Sequence, residues 1–164
     1  MEFPDRMTAA AAALLDAYRA AGLRLVTAES CTGGLIAACL TEIAGSSKVV
    51  ERGFIVYSNE AKAELLGVPG ELLNRYGAVS AQVARAMVEG ALARSRADIG
   101  VSVTGIAGPG GATAGKPVGL VYLAAARRSG EPAIERHLFS GDRRAVRLAS
   151  VEAAFMLLRR QVGP

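Results

Sequence analysis

Apolar and polar positions alternate between helical and strand periods along the chain, with no repeat and no low-complexity tract. Near the start, Leu14, Leu15 and Tyr18 share one face of a helix that Thr8 can cap and Gly22 can end. Residues 23–28 (LRLVTA) read as a buried strand. Thr32, Gly33 and Gly34 then open a second helix, in which Leu35, Ile36, Cys39, Leu40 and Ile43 recur at helical spacing. A Gly-Ser-Ser turn at 45–47 precedes a strand over about 49–58. Asn59 is a good cap for a helix over 60–66. Ser80 caps another, with Val83, Met87, Val88, Ala91 and Leu92 as its inner stripe. Residues 99–104 (IGVSVT) form a strand leading into a glycine-rich loop at 105–117. Two further strands, 118–126 and 133–139, pair as an antiparallel hairpin around Ser129-Gly130. Asp142 caps a last helix packed through Leu148, Val151, Phe155 and Leu158. Strands alternating with helices, plus one hairpin, predict an α/β fold: a three-layer α/β/α sandwich with a mixed, mostly parallel sheet.

The length of 164 residues, with 51% hydrophobic and 21% charged positions, fits one domain over residues 1–164 that needs no disulfides to hold its core. Cys31 and Cys39 match neither a zinc knuckle nor a redox pair, which points to a reducing, cytoplasmic setting. The apolar run at 9–15 follows acidic rather than basic residues and is too short for a membrane span. The net charge is +4, but its arginines are scattered and tryptophan is absent. That argues against a nucleic-acid footprint, which concentrates charge on one face and adds stacking residues. A small anionic ligand fits better. With His137 the single histidine, a multi-histidine metal site is excluded, and no metal or cofactor is expected. Lys48, Lys62 and Lys116 are the only lysines.

Four segments could carry chemistry. In AESCTGG, Ser30 stands just past the carboxyl end of a strand, where open α/β sheets bind ligands. Backbone N–H groups around Gly33-Gly34 or Gly105 could hold a developing oxyanion. An ordinary cap turn gives the same pattern, and Cys31 is a rival nucleophile. In YSNEAK, Lys62 falls at the third helical position, where burial and the helix dipole would lower its pKa. A neutral lysine near a serine can act as its general base; a solvated surface lysine is the plainer reading. The loop at 105–117 contains G-x-x-x-x-G-K, but Pro117 stands where a phosphate-binding loop needs Ser or Thr, and a strand follows instead of a helix. It remains a glycine-dense loop able to approach an anion. In GDRRAVR, three arginines crowd the start of a helix, either as a solvated face or as a phosphate site. His137 reads as structural.

Taken in order, AESCTGG, GSS, ERGFIVYSNEAKAELLGV, YGAVS, TGIAGPGG, KPVG and FSGDRRAVR resemble the C-terminal domain family of the competence/damage-inducible protein CinA. The chain resembles its single-domain form, without the molybdopterin-binding-like domain of longer members. The resemblance implies an amidase that converts nicotinamide mononucleotide to nicotinate mononucleotide and ammonia without a metal, in pyridine-nucleotide salvage. It implies Ser30 as nucleophile, Lys62 as its base and Tyr57 as a further catalytic residue. It places Cys31, Thr32, Gly33, Gly34, Thr104, Gly105, Ile106 and Arg143 at the substrate. It also implies a homo-oligomer, with a dimer favoured. A nucleotide-binding, competence-associated protein without turnover is the alternative.

Overall fold

The computed structural model describes residues 2–163, so residues 1 and 164 of the expected domain lie outside the described residues. The elements run α1 (Asp5–Ala20), β1 (Leu25–Glu29), α2 (Leu35–Thr41), β2 (Val50–Ile55), α3 (Asn59–Leu66), α4 (Gly70–Tyr76), α5 (Ala81–Ala93), β3 (Ile99–Gly105), β4 (Leu120–Arg127), β5 (Ala133–Leu138) and α6 (Arg143–Gln161). The sheet order is β2-β1-β3-β4-β5. β1 pairs in parallel with β2 and β3, and the β3–β4 and β4–β5 ladders are antiparallel. The sheet is therefore mixed, with parallel pairing confined to the half that carries β1.

Side-chain alternation along the central strands builds two cores. Leu25, Ile99, Val101, Val103, Val121 and Leu123 pack under α1, α2 and α6. Val26, Ala28, Ala124 and Ala126 face the opposite way, against α3, α4 and α5. Because both faces are covered, β1 is buried at every position and reads as a continuous apolar run. On the second face β3 presents small groups. The Ser102 hydroxyl donates to the Ala84 carbonyl at 2.6 Å and Thr104 to the Ala78 carbonyl at 2.8 Å. These contacts fix α5 and the segment before it close to the sheet.

Two caps differ from expectation, and one α-helix is new. α1 begins at Asp5 behind Pro4, and the Thr8 hydroxyl donates to the Asp5 carbonyl from inside the helix. Ser58, not Asn59, caps α3, accepting from the Ala61 N–H at 3.0 Å. Both residue types cap well; with Ser58 in the role, Lys62 moves from the third to the fourth helical position. Short α4 follows Pro69 and carries too few apolar residues to reveal a period. Asp142 caps α6 as expected, accepting from Ala145 at 2.8 Å.

The order β2-β1-β3 makes β1 the point from which chain connections leave in opposite directions. A crevice opens there, beyond the carboxyl ends of β1 and β3. α3 reaches this crevice by packing on α5 at Gly90, where a Cβ would lie 2.0 Å from the Leu66 carbonyl oxygen. Gly90→Ala must therefore push α3 outward. The expected cost is about 3 kcal/mol, a fall in Tm of roughly 6–12 °C that thermal denaturation will read.

Candidate active site

Ser30 follows β1 directly, and its N–H donates to the Val103 carbonyl of β3 at 3.0 Å, which holds it at the crevice. Its neighbour Glu29 is fully buried. The Glu29 carboxyl accepts from the Thr32 hydroxyl (2.6 Å) and from the N–H groups of Gly34 (3.1 Å), Ile36 (3.0 Å) and Ala37 (2.9 Å). This one carboxyl satisfies the start of α2, whose first N–H groups have no partner inside the helix. The chain can fold back this tightly because Gly33 and Gly34 take positive φ values of 58° and 98°.

These contacts correct the expected role of the glycine pair. The Gly33 N–H donates to the Ser30 carbonyl at 3.0 Å and the Gly34 N–H goes to Glu29, so neither is available to an oxyanion. Thr32 is likewise spent on Glu29 and fully buried. Among the described residues, the N–H groups of Cys31 and Thr32 donate to no backbone acceptor, and that of Cys31 meets its own thiol.

Lys62 reaches back from α3 beneath this turn and is 1% exposed. Its Nζ lies 2.9 Å from Ser30 Oγ, 2.9 Å from the Val56 carbonyl oxygen and 3.2 Å from that of Tyr57. Among the described residues no carboxylate pairs with it. Burial pushes its pKa below the ordinary lysine value, with the neighbouring Cys31 sulfur opposing. The two carbonyls can only accept. A neutral amine therefore gives its two protons to them and turns its lone pair to the Ser30 hydroxyl.

The Cys31 thiol is pushed up to about 12, chiefly by burial and next by the Glu29 carboxyl. It stays protonated, and a protonated thiol is a poor nucleophile. Ser30, Cys31, Tyr57, Lys62, Thr104, Gly105 and Arg143 line one cleft together with Ala78, Val79 and Ala107. Thr32, Gly33, Gly34 and Ile106 are not part of that lining. Ile106 instead joins the glycine-rich loop to β4, its N–H donating to the Leu120 carbonyl at 2.9 Å. At the rim, Arg143 donates to the Gly108 carbonyl at 2.7 Å and to the Tyr57 hydroxyl at 3.2 Å, with no ion pair among the described residues. Tyr57 is 63% exposed and, accepting from Arg143, keeps its own proton for another partner. His137 lies on β5, 2.8 Å from Glu135 and stacked on Phe139, outside the cleft.

Sequence reasoning missed Glu29, whose carboxyl type at a strand end was the available signal. It also missed Ala78, Val79 and Ala107, small residues that carry none. Arg147, passed over in favour of Arg143, holds the Cys31 carbonyl through Nε and the Thr32 carbonyl through Nη2, each at 3.1 Å. No helix among the described residues is long and apolar enough to cross a membrane.

A nicotinamide-nucleotide amidohydrolase PncC of Escherichia coli strain K12 is 51% identical over 145 residues, covering 88% of each chain. A putative competence-damage inducible protein of Caldicellulosiruptor bescii is 53% identical over 140 residues; the match takes in 85% of this chain but spans only 34% of that relative's length. The crystal structure of the competence/damage inducible protein CihA from Agrobacterium tumefaciens superposes with a TM-score of 0.96 at 48% identity, covering 100% of this chain and 99% of that one. Residues 7–162 match the family described as the CinA C-terminal domain. With the fold, the cleft and the ordered motifs in agreement, the chain belongs to the CinA C-terminal domain family.

Proposed function

We propose that this chain, as a single domain, is a nicotinamide-nucleotide amidase, hydrolysing nicotinamide mononucleotide to nicotinate mononucleotide and ammonia in pyridine-nucleotide salvage. The observation that carries the reading is the buried Lys62 Nζ, 2.9 Å from Ser30 Oγ and oriented by two carbonyls. The Escherichia coli relative's name supplies the substrate. Lys62 takes the Ser30 proton as Oγ attacks the carboxamide carbon. The resulting ammonium then protonates the departing nitrogen, which leaves as ammonia, and an ester remains on Ser30. Water, deprotonated by Lys62, attacks that ester; the tetrahedral adduct collapses to the carboxylic acid, and Ser30 regains its proton.

With Gly33 and Gly34 occupied and Thr32 outside the cleft lining, the Cys31 N–H is the donor for the oxyanion, worth about 2.7–4 kcal/mol by analogy with other acyl-transfer sites. The substrate's phosphate meets Arg143, whose present partners are neutral, and the Tyr57 hydroxyl. Tyr57 thereby serves in positioning, or in donating a proton at the cleft mouth. The same reading includes a homodimer, carried by the family resemblance, and a reducing cytoplasm, supported by two buried free thiols.

Lys62→Met and Lys62→Arg are both expected to lower kcat by about 10²–10⁴-fold in a coupled ammonia assay. Arginine keeps the charge but cannot give up its proton; full activity in Lys62→Arg would contradict the dyad. The protonated lysine is inactive, so kcat/KM should fall in acid and rise with pH through a limb below the ordinary lysine value of 10.5. An activity that grows as the pH drops contradicts a lysine base. Nicotinamide mononucleotide should be turned over in preference to its riboside and to free nicotinamide, and Arg143→Ala should erase that preference through KM. Binding of the nucleotide without ammonia release would instead support the non-catalytic alternative.

A further inference from the structure

Arg147 takes no part in the proton transfers above, yet it is held against the nucleophile turn. It projects from α6, four residues after Arg143, and is partly buried. Its guanidinium spans two successive carbonyls, donating from Nε to Cys31 and from Nη2 to Thr32 at 3.1 Å each. Among the described residues it makes no ion pair. Placing a cation there without a counter-ion costs solvation, which a purely packing role would not require.

The geometry of the peptide unit shows what the contact does. A trans peptide is planar, with N–H and C=O pointing in opposite directions. Binding the Cys31 carbonyl to Arg147 therefore directs the Thr32 N–H away from α6. The preceding peptide is fixed by its own carbonyl, that of Ser30, which accepts from the Gly33 N–H. The next one is held at both ends, by Arg147 on the Thr32 carbonyl and by Ser30 on the Gly33 N–H. Three peptide units after Ser30 are thus locked, and of the residues they join it is Cys31, whose N–H meets only its own thiol, that lines the cleft.

We propose that Arg147 is a positioning residue that, by clamping the Cys31 and Thr32 carbonyls, holds the Gly33–Ser30 hydrogen bond in place and through it aims the Cys31 N–H at the oxygen of the reacting carboxamide. This rests on the amidase reading and adds a device to it. The planar fork matters: a lysine ammonium is a point charge without the rigid pair of donors that matches two carbonyls at once. Arg147 itself touches neither substrate nor Ser30 Oγ in this role. Its effect belongs to the transition state, because the oxygen needs that donor most when it becomes charged.

Steady-state ammonia release from nicotinamide mononucleotide by Arg147→Lys and Arg147→Ala tests this. Both should lose about 10²-fold in kcat, the scale of a 1 Å misplacement. KM, the affinity for nicotinate mononucleotide and the acid limb set by Lys62 should stay as in the unaltered protein. Added guanidinium ion should restore part of kcat to Arg147→Ala and none to Arg147→Lys. If Arg147→Ala does not fold, Arg147→Lys, which keeps the charge and most of the stem, decides alone through its kcat. Unchanged kcat in Arg147→Lys overturns the proposal, as does a rise in KM at constant kcat, which would mark Arg147 as a substrate contact. Absence of ammonia release from the unaltered protein would overturn the amidase reading itself, an outcome distinct from either of these.

Discussion

The amine of Lys62 is buried with three oxygen partners and, among the described residues, no counter-ion, and the rest of the site is arranged around that fact. Burial alone would favour the neutral form, but a neutral amine could point its lone pair anywhere. The Val56 and Tyr57 carbonyls remove that freedom, since each accepts one proton and neither can donate. What is left faces Ser30. The scaffold makes this arrangement by packing α3 on α5 through Gly90 and by ending β2 just before Val56, so that the backbone carbonyls come to the amine.

On the other side of Ser30, charge is used to settle the backbone. The Glu29 carboxyl collects the N–H groups at the start of α2, and the Arg147 guanidinium collects the carbonyls just before it. Each group works where the opposite one would fail, a carboxyl toward donors and a guanidinium toward acceptors. The helix start, which in other folds receives an anionic ligand, is here already filled by the protein's own side chain. In the proposed reaction the substrate's negative charge is left to Arg143 at the rim, and the oxyanion to the turn.

The layered α/β arrangement was legible because β1, β3 and β4 alternate between two buried faces and α5 carries a clean apolar stripe. Ser30 and Lys62 were legible as residue types in unusual places, a hydroxyl at a strand end and one of only three lysines at a helix start. Their contact was not, because 32 residues separate them and the packing of α3 on α5 closes the distance. The glycine pair was read as a donor set, since sequence shows which residues have N–H groups but not which acceptors claim them. Glu29 and Arg147 were hidden for the same reason: each acts on backbone atoms that carry no sequence signature. Ser58 and Asn59 are equally good caps, so the one-residue shift of Lys62 could emerge only from the folded chain.

The central claim is that an ester forms on Ser30. Acid quenching during turnover of nicotinamide mononucleotide, followed by mass spectrometry of the peptide that carries residues 30 and 31, tests it most directly. The account predicts an acyl adduct on the Ser30 oxygen that disappears in Ser30→Ala. An adduct on the Cys31 sulfur, or ammonia release by Ser30→Ala at the unaltered rate, would contradict it.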